Sequence, residues 1–303
     1  MAFTSSDRRY EPYVRPIDPD VSRSAEGWRW RSWDLHVEHV GDPQAPTRFL
    51  LIHGAGGNAA AMWPFAAHLA GCGALVTVVD LPGYGRTRAH RRTTVTYDDW
   101  RAVLIHVAAR IDDDRPLVLV GASMGGMLAL ETAAVSGLGD LVIATCLLDV
   151  ADPGVRAASV RAPWMARAGA RLSRFIAGPV RHAHLPLRWA APMSTISNDP
   201  GLSAAVLRDP RGGGGTMPLA WFRSFLEAEP VVSPPDYAGP PVLLVHPGAD
   251  RWTPTRLSTT YLSALAGRTR VVELPGCGHF PVEEPGFQLL LDTVAAEVVR
   301  LTS

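Results

Sequence analysis

The chain contains no lysine: all 29 of its basic side chains are arginine. They are matched by 29 acidic residues, so the formal net charge is zero. A balanced chain lacks the long-range attraction by which basic proteins collect nucleic acid or anionic surfaces. The missing lysine reads as a coding bias rather than as a choice of arginine for bidentate anion binding. Cysteine is scarce: Cys72, Cys146 and Cys277, widely spaced, make neither a disulfide framework nor a zinc ligand set, and no metal site is expected. No run approaches the ~18 apolar residues of a membrane helix. The first twenty residues lack the apolar centre of a secretion signal. The expectation is a soluble cytoplasmic protein with no nucleic-acid partner and no membrane span; oligomeric state leaves no mark in the pattern.

What is present is an ordinary globular composition, 47% hydrophobic and 19% charged over 303 residues, enough for one large domain or two small ones. From Trp28 onward strand-like and helix-like stretches alternate. Residues 29–40 alternate apolar and polar, as a half-buried strand does. Residues 49–53 (FLLIH) form a continuous apolar run, the pattern of a strand buried on both faces. Similar runs follow at 74–80, 116–122, 140–150, 241–248 and 269–276. Helical patterns fill 63–70, 97–111, 124–136, 255–266 and 285–301. In the last, Phe287, Leu290, Leu291, Val294, Val298 and Leu301 keep a 3.6-residue period. This order predicts an α/β fold, a mostly parallel sheet with helices on both faces.

Residues 151–236 break the rhythm. They show no buried strand, carry amphipathic pieces at 161–176 and 217–227, and include four consecutive glycines at 212–215. A structureless loop of that length is improbable in a compact domain, so a helical insertion over one end of the sheet is expected. The domain plan is an N-terminal extension over 1–25, on the surface or disordered, a core from 26–150 and 237–303, and the insertion between them.

Residues 121–125 read Gly-Ala-Ser-Met-Gly. Such a pattern is weak alone and strong in its setting, because a buried strand leads in and an Ala- and Leu-rich helix leads out. A sharp strand-to-helix turn exposes the serine hydroxyl at the carboxyl end of the sheet, near a helix N-terminus that stabilises negative charge. The plain alternative is a serine helix cap. A serine nucleophile needs a base. His279, bracketed by Gly278 and Phe280 just past the last strand, is placed to reach over the sheet edge, whereas His36, His39, His106, His182 and His184 lie on other elements. The base needs a carboxylate to hold its tautomer. Asp250, after the 241–248 strand, is preferred; Asp149, at the end of an earlier one, is the rival. Oxyanion donors are expected from the backbone N–H of Met124 and from the loop 53–57, with Ala55 preferred. Cys277 lies near His279, yet no base is better placed for it than for Ser123.

One imitation runs through the same residues. Gly54-Ala-Gly-Gly-Asn-Ala59 follows a strand, and a later strand ends in Asp80, as in a dinucleotide-binding fingerprint. Pro64 suits a first helical turn, so the helix is expected to start near Trp63, too late to face a pyrophosphate.

The segments 51–64 (LIHGAGGNAAAMWP), 78–87, 119–130, 246–254 and 274–285 together resemble the α/β-hydrolase superfamily, in its branch of monoacylglycerol-lipase-like and other small esterases. The resemblance implies an eight-stranded, mostly parallel sheet, a mobile cap, no cofactor, and the chain order nucleophile, acid, base. Carried over by position, it implies Ser123 as nucleophile, Asp250 as acid, His279 as base, and Ala55 and Met124 as oxyanion donors. The insertion matches no pattern of the family, which leaves the substrate open. Trp164, Trp189, Trp221, Phe222 and Phe225 are candidates for an apolar substrate pocket, or anchors of the insertion on the core. The function expected is hydrolysis of a small-molecule carboxylic ester through an acyl-enzyme. A C–C bond hydrolase, a thioesterase or a lactonase would use the same residues, and a ligand-binding receptor would keep the fold without turnover.

Overall fold

The apolar runs become strands because each is long enough to cross a sheet and is flanked by turn residues. In the computed structural model, which describes residues 5–90, 93–162, 164 and 176–303, the main sheet contains β1 (Arg23–Trp30), β2 (Trp33–Val40), β3 (Thr47–Ile52), β4 (Ala74–Val79), β5 (Arg88–Ala89), β6 (Leu117–Gly121) and β7 (Leu141–Ala144). After the short β8 (His184–Pro186) and β9 (Thr216–Pro218) it is completed by β10 (Val242–Pro247) and β11 (Thr269–Leu274). Eight strands follow the order β1-β2-β4-β3-β6-β7-β10-β11, with β5 paired to β2 at the side. The strands from β3 to β11 in this sheet are parallel; β1 and β2 are antiparallel. The central strands β3, β4, β6 and β10 are mostly apolar and buried almost throughout, because helices cover both faces. Helix α1 (Ala59–Ala70) packs with the last helix, Gly286–Thr302, while α2 (Tyr97–Ile111) packs with α3 (Met124–Ser136).

Four local readings change. Residues 29–40 are not one strand: Arg31, at φ 49°, turns the chain between β1 and β2. The run at 269–276 is not buried on both faces, since β11 ends the sheet with one neighbour and most of its residues are exposed. Helix α1 starts at Ala59, not near Trp63. The Asn58 side chain caps it by accepting from the Ala61 N–H at 2.9 Å, and Pro64 lies inside the helix, where the carbonyl of Ala60 forgoes a donor. The described part of the extension lies largely on the surface but is pinned at two points: Tyr10 is fully buried and Asp7 nearly so, because the Tyr10 hydroxyl donates to Asp209 at 2.9 Å and Asp7 pairs with Arg86 at 2.6 Å.

The described residues of 151–236 contain α4 (Pro153–Ser159), α5 (Leu187–Ala190), α6 (Pro200–Arg208) and α7 (Leu219–Leu226), with β8 and β9 pairing as a small antiparallel ribbon. The amphipathic stretch 161–176 lies largely outside the described residues; the stretch 217–227 yields α7. Helices α8 (Thr255–Ala264) and α9 (Gly286–Thr302) close the chain. Among the described residues no helix is long and apolar enough to cross a membrane.

Candidate active site

The turn between β6 and α3 is dictated by its glycines. A Cβ on Gly121 would stand 2.1 Å from the Gly125 carbonyl oxygen, and one on Gly125 would stand 2.3 Å from that of Ile52. Only glycine permits strand, turn and helix to approach so closely. Ser123 itself takes φ 56° and ψ −125°, a conformation that costs on the order of 1–3 kcal/mol for a residue with a side chain. The turn is fixed by the Ser123 N–H, which donates to Thr145 Oγ1 at 2.8 Å. The Ser123 hydroxyl does not cap α3. It donates instead to His279 Nε2 at 2.7 Å.

His279 sits on the loop after β11 and is 3% exposed. Its Nδ1–H donates to Asp250 Oδ2 at 2.8 Å. Asp250, on the loop after β10, also receives the Thr253 hydroxyl on Oδ2 at 2.7 Å and the N–H groups of Trp252 and Thr253 on Oδ1 at 2.7 and 3.0 Å. Burial disfavours the Asp250 charge, but the His279 ring and the Thr253 donors outweigh it and hold the pKa at about 2. The carboxylate is therefore ionised and oriented, with His279 as its partner. The indole of Trp252 lies against the His279 ring, centroids 4.6 Å apart, and its Nε1–H donates to the Ala158 carbonyl at 2.9 Å.

Asp149 is not part of this chain. Its carboxylate accepts from Ala151 N–H at 2.8 Å, forming a local turn ahead of Pro153. Cys277 is buried beneath its loop, with Sγ donating to the Glu283 carbonyl at 3.1 Å, and burial pushes the thiol up to about 12. Cys146, Asp250 and His279 bring ligand-type atoms within 4.8 Å of one another. They suit a metal poorly, because Asp250 and His279 already satisfy each other and burial raises the Cys146 thiol to about 12.

Opposite the serine, the loop 53–58 folds back onto the turn. A Cβ on Gly54 would lie 3.1 Å from Ser123 Cβ and 3.2 Å from the Met124 nitrogen. The Gly54 carbonyl accepts from His53 Nδ1–H at 2.8 Å and from Gly57 N–H at 3.1 Å. Because His53 Nε2 accepts from Leu81 N–H at 3.1 Å, its proton resides on Nδ1. Burial pushes the His53 pKa down, so the ring is neutral. A trans peptide holds C=O and N–H on opposite sides of one plane. Two donors on the Gly54 oxygen thus point the Ala55 N–H the other way. The same loop leaves no place for a dinucleotide. The first amide of α1, Ala59 N–H, is taken by Asp80 Oδ1 at 2.6 Å, and Asp80 Oδ2 accepts from Arg86 N–H at 2.6 Å.

An apolar cavity of about 340 Å³ opens beside Ser123, bordered by Ala55, Met124, Trp252 and Thr253 on the sheet side. Its other wall comes from 151–236 and includes Trp164, Trp221, Phe222 and Phe225. Trp189 is not in that wall. The single turn of α5 puts Leu187 and Ala190, three apart, on the cavity face, and leaves Trp189 55% exposed. A narrower void of about 60 Å³ lies on the other side of Ser123, among Met62, Phe65 and Phe280.

Sequence reasoning missed the supports. Thr145, Thr253 and His53 hold the serine turn, the acid and the loop. Asn198 bridges the insertion to the site: its Nδ2 donates to the Ala249 carbonyl at 3.1 Å, its Oδ1 accepts from Arg251 Nε at 2.8 Å, and it lies against Gly278. The pattern Asp-x-x-Thr at 250–253 is the one local signal, since an aspartate three residues before a threonine can collect its amide and hydroxyl.

Residues 49–289 match the family described as Alpha/beta hydrolase family. The chain is 26% identical over 259 residues to the Monoacylglycerol lipase of Mycolicibacterium smegmatis, a match covering 82% of this chain and 87% of that protein. A soluble variant of monoglyceride lipase from Saccharomyces cerevisiae, solved with a substrate analog, superposes with a TM-score of 0.76 at 16% identity, over 95% of this chain and 98% of that one. The monoacylglycerol lipase of Paleococcus ferrophilus gives a TM-score of 0.68 at 18% identity, over 94% and 100% of the two chains. At such identities the two structures speak for the fold.

Proposed function

The chain belongs to the α/β-hydrolase family, and from that premise we propose that it hydrolyses a carboxylic ester with an apolar acyl group through an acyl-enzyme on Ser123. The observation that carries this reading is the unbroken chain from the Ser123 hydroxyl through His279 to Asp250, at 2.7 and 2.8 Å, opening on the apolar cavity. The resemblance to lipases in sequence supports it.

In this reading His279 Nε2 takes the Ser123 proton as Oγ attacks the ester carbonyl. Asp250 stabilises the imidazolium and fixes its tautomer. The carbonyl oxygen becomes an oxyanion beside the N–H groups of Ala55 and Met124. As the tetrahedral centre collapses, His279 returns its proton to the departing alcohol. A water then repeats the cycle: His279 removes its proton, hydroxide adds to the acyl carbon, and the proton goes back to Ser123 Oγ as the acid leaves. The larger cavity takes the acyl chain, and residues 151–236 act as the cap over it. The described lining of the cavity is almost wholly apolar, which suits an acyl chain.

A fluorophosphonate probe tests the assignment. It is expected to label the wild type and not Ser123→Ala, and equal labelling of the variant would refute it. Turnover of p-nitrophenyl esters of graded chain length then sizes the acyl cavity.

A further inference from the structure

The loop that carries Ala55 is pressed from two sides. Its inner side lies on Ser123 and Met124. Its outer side is closed by the turn 209–215: a Cβ on Gly56 would stand 3.0 Å from Gly213 Cα, and one on Gly212 would stand 2.7 Å from the Gly56 carbonyl oxygen. One side chain holds that turn together. Asp209, 6% exposed, accepts on Oδ2 from the Tyr10 hydroxyl at 2.9 Å and from Asn58 Nδ2 at 2.8 Å, and on Oδ1 from Arg211 N–H at 3.0 Å. Its carbonyl accepts from the N–H groups of Gly212 and Gly214 at 3.1 and 2.9 Å. Asn58 is also the cap of α1 and the end of the Ala55 loop. Burial, and then the charge of Asp209, push the Tyr10 pKa up, so its hydroxyl remains a donor. Three segments remote in sequence converge on one carboxylate oxygen directly behind the loop.

We propose that Tyr10, Asn58 and Asp209 are positioning residues, holding the 54–58 loop so that the Ala55 amide is aimed at the oxyanion. This rests on the acyl-transfer reading of Ser123. Three of the four residues 54–57 are glycine. Such a stretch has much conformational freedom and no side chains with which to restrain itself. Its restraint must come from what packs around it. The buried network supplies that restraint from the N-terminal segment and the insertion together.

The test uses the full chain, with Tyr10→Phe, Asp209→Asn and Asp209→Ala. Three quantities are measured: kcat and KM on p-nitrophenyl butyrate, inhibition by an alkyl trifluoromethyl ketone, and Tm. The ketone adds to the serine as a hemiketal and so presents the oxyanion itself. Tyr10→Phe is expected to lower kcat about tenfold and Asp209→Ala roughly a hundredfold, in keeping with the cost of displacing a reacting group by about 1 Å. KM should hold, the inhibition constant should rise by the same factor as kcat falls, and Asp209→Asn should recover part of the loss. Variants that bind the ketone as tightly as the wild type, whatever their Tm, overturn the proposal. Should Asp209→Ala fail to fold, Tyr10→Phe, which removes one hydroxyl, decides alone. A wild type inert to the fluorophosphonate would overturn the acyl-transfer reading beneath; a labelled wild type with unaffected variants overturns only the positioning role.

Discussion

The floor and the roof of the cavity at Ser123 are built by different means. The floor consists of strand ends and their turns, and three of its parts are each held by a directed hydrogen bond: Thr145 for the turn, Thr253 for the acid, His53 for the facing loop. The roof is aromatic and held by packing. Trp221 stacks on Phe225 with ring centroids 5.4 Å apart and rests on Trp100 at 4.8 Å. Directed bonds fix atoms to fractions of an ångström, whereas dispersion and burial fix only volume and shape. The difference teaches where error is tolerated. Proton transfer asks for the first kind of wall, and an acyl chain without polar groups asks only for the second.

The comparison can be broken most severely at the floor. Asp250→Asn keeps the shape and reverses a hydrogen-bonding role, so kcat should fall by about 10⁴-fold with KM little changed. A loss under tenfold, measured with a short-chain ester, would show that the acid does not set the His279 tautomer. A second effect follows from charge. The Asp250 pKa is depressed from 3.8 to about 2 in the folded chain. The carboxylate then contributes stability that is full above about pH 4 and is lost as pH falls toward about 2, worth roughly 2 kcal/mol. Denaturant titrations of wild type and Asp250→Asn across that window should show the gap between them narrowing by this amount on the acid side; a gap independent of pH would contradict it.

The roof should respond differently. Phe222→Ala removes part of the apolar wall, and the KM for long-chain esters should rise about tenfold while acetyl ester turnover holds. Trp189→Ala removes an exposed indole outside the cavity and should change neither KM nor, beyond about 0.5 kcal/mol, stability. If the two variants behave alike on a chain-length panel, the cavity is not where the acyl chain lies.

The sheet, its order of motifs and the meeting of Ser123, Asp250 and His279 at one sheet edge were legible because each leaves a local trace: an apolar run ending in a small turn that bears one polar side chain. What was not legible arises from pairing at a distance. Tyr10 looked like part of a polar extension because its partner lies 199 residues away. Asn198 carried no signal, since its value lies in the loops on either side of it. Trp189 and Trp221 have the same composition-level claim to a pocket, and only the orientation of α5 and α7 separates them. The helix start at Ala59 was misplaced because Pro64 is more common in a first turn than inside, and the Asn58 cap overrode that preference.

The Ala55 amide belongs to the main chain and would survive almost any replacement of its methyl group. A scan that scores each position by its tolerance of substitution would find little at 55. The requirement is written instead at 53, 54 and 57, where one imidazole and two bare α-carbons fix the tilt of a peptide plane. The amide proposed to meet the reacting oxygen is therefore spelled in its neighbours' letters.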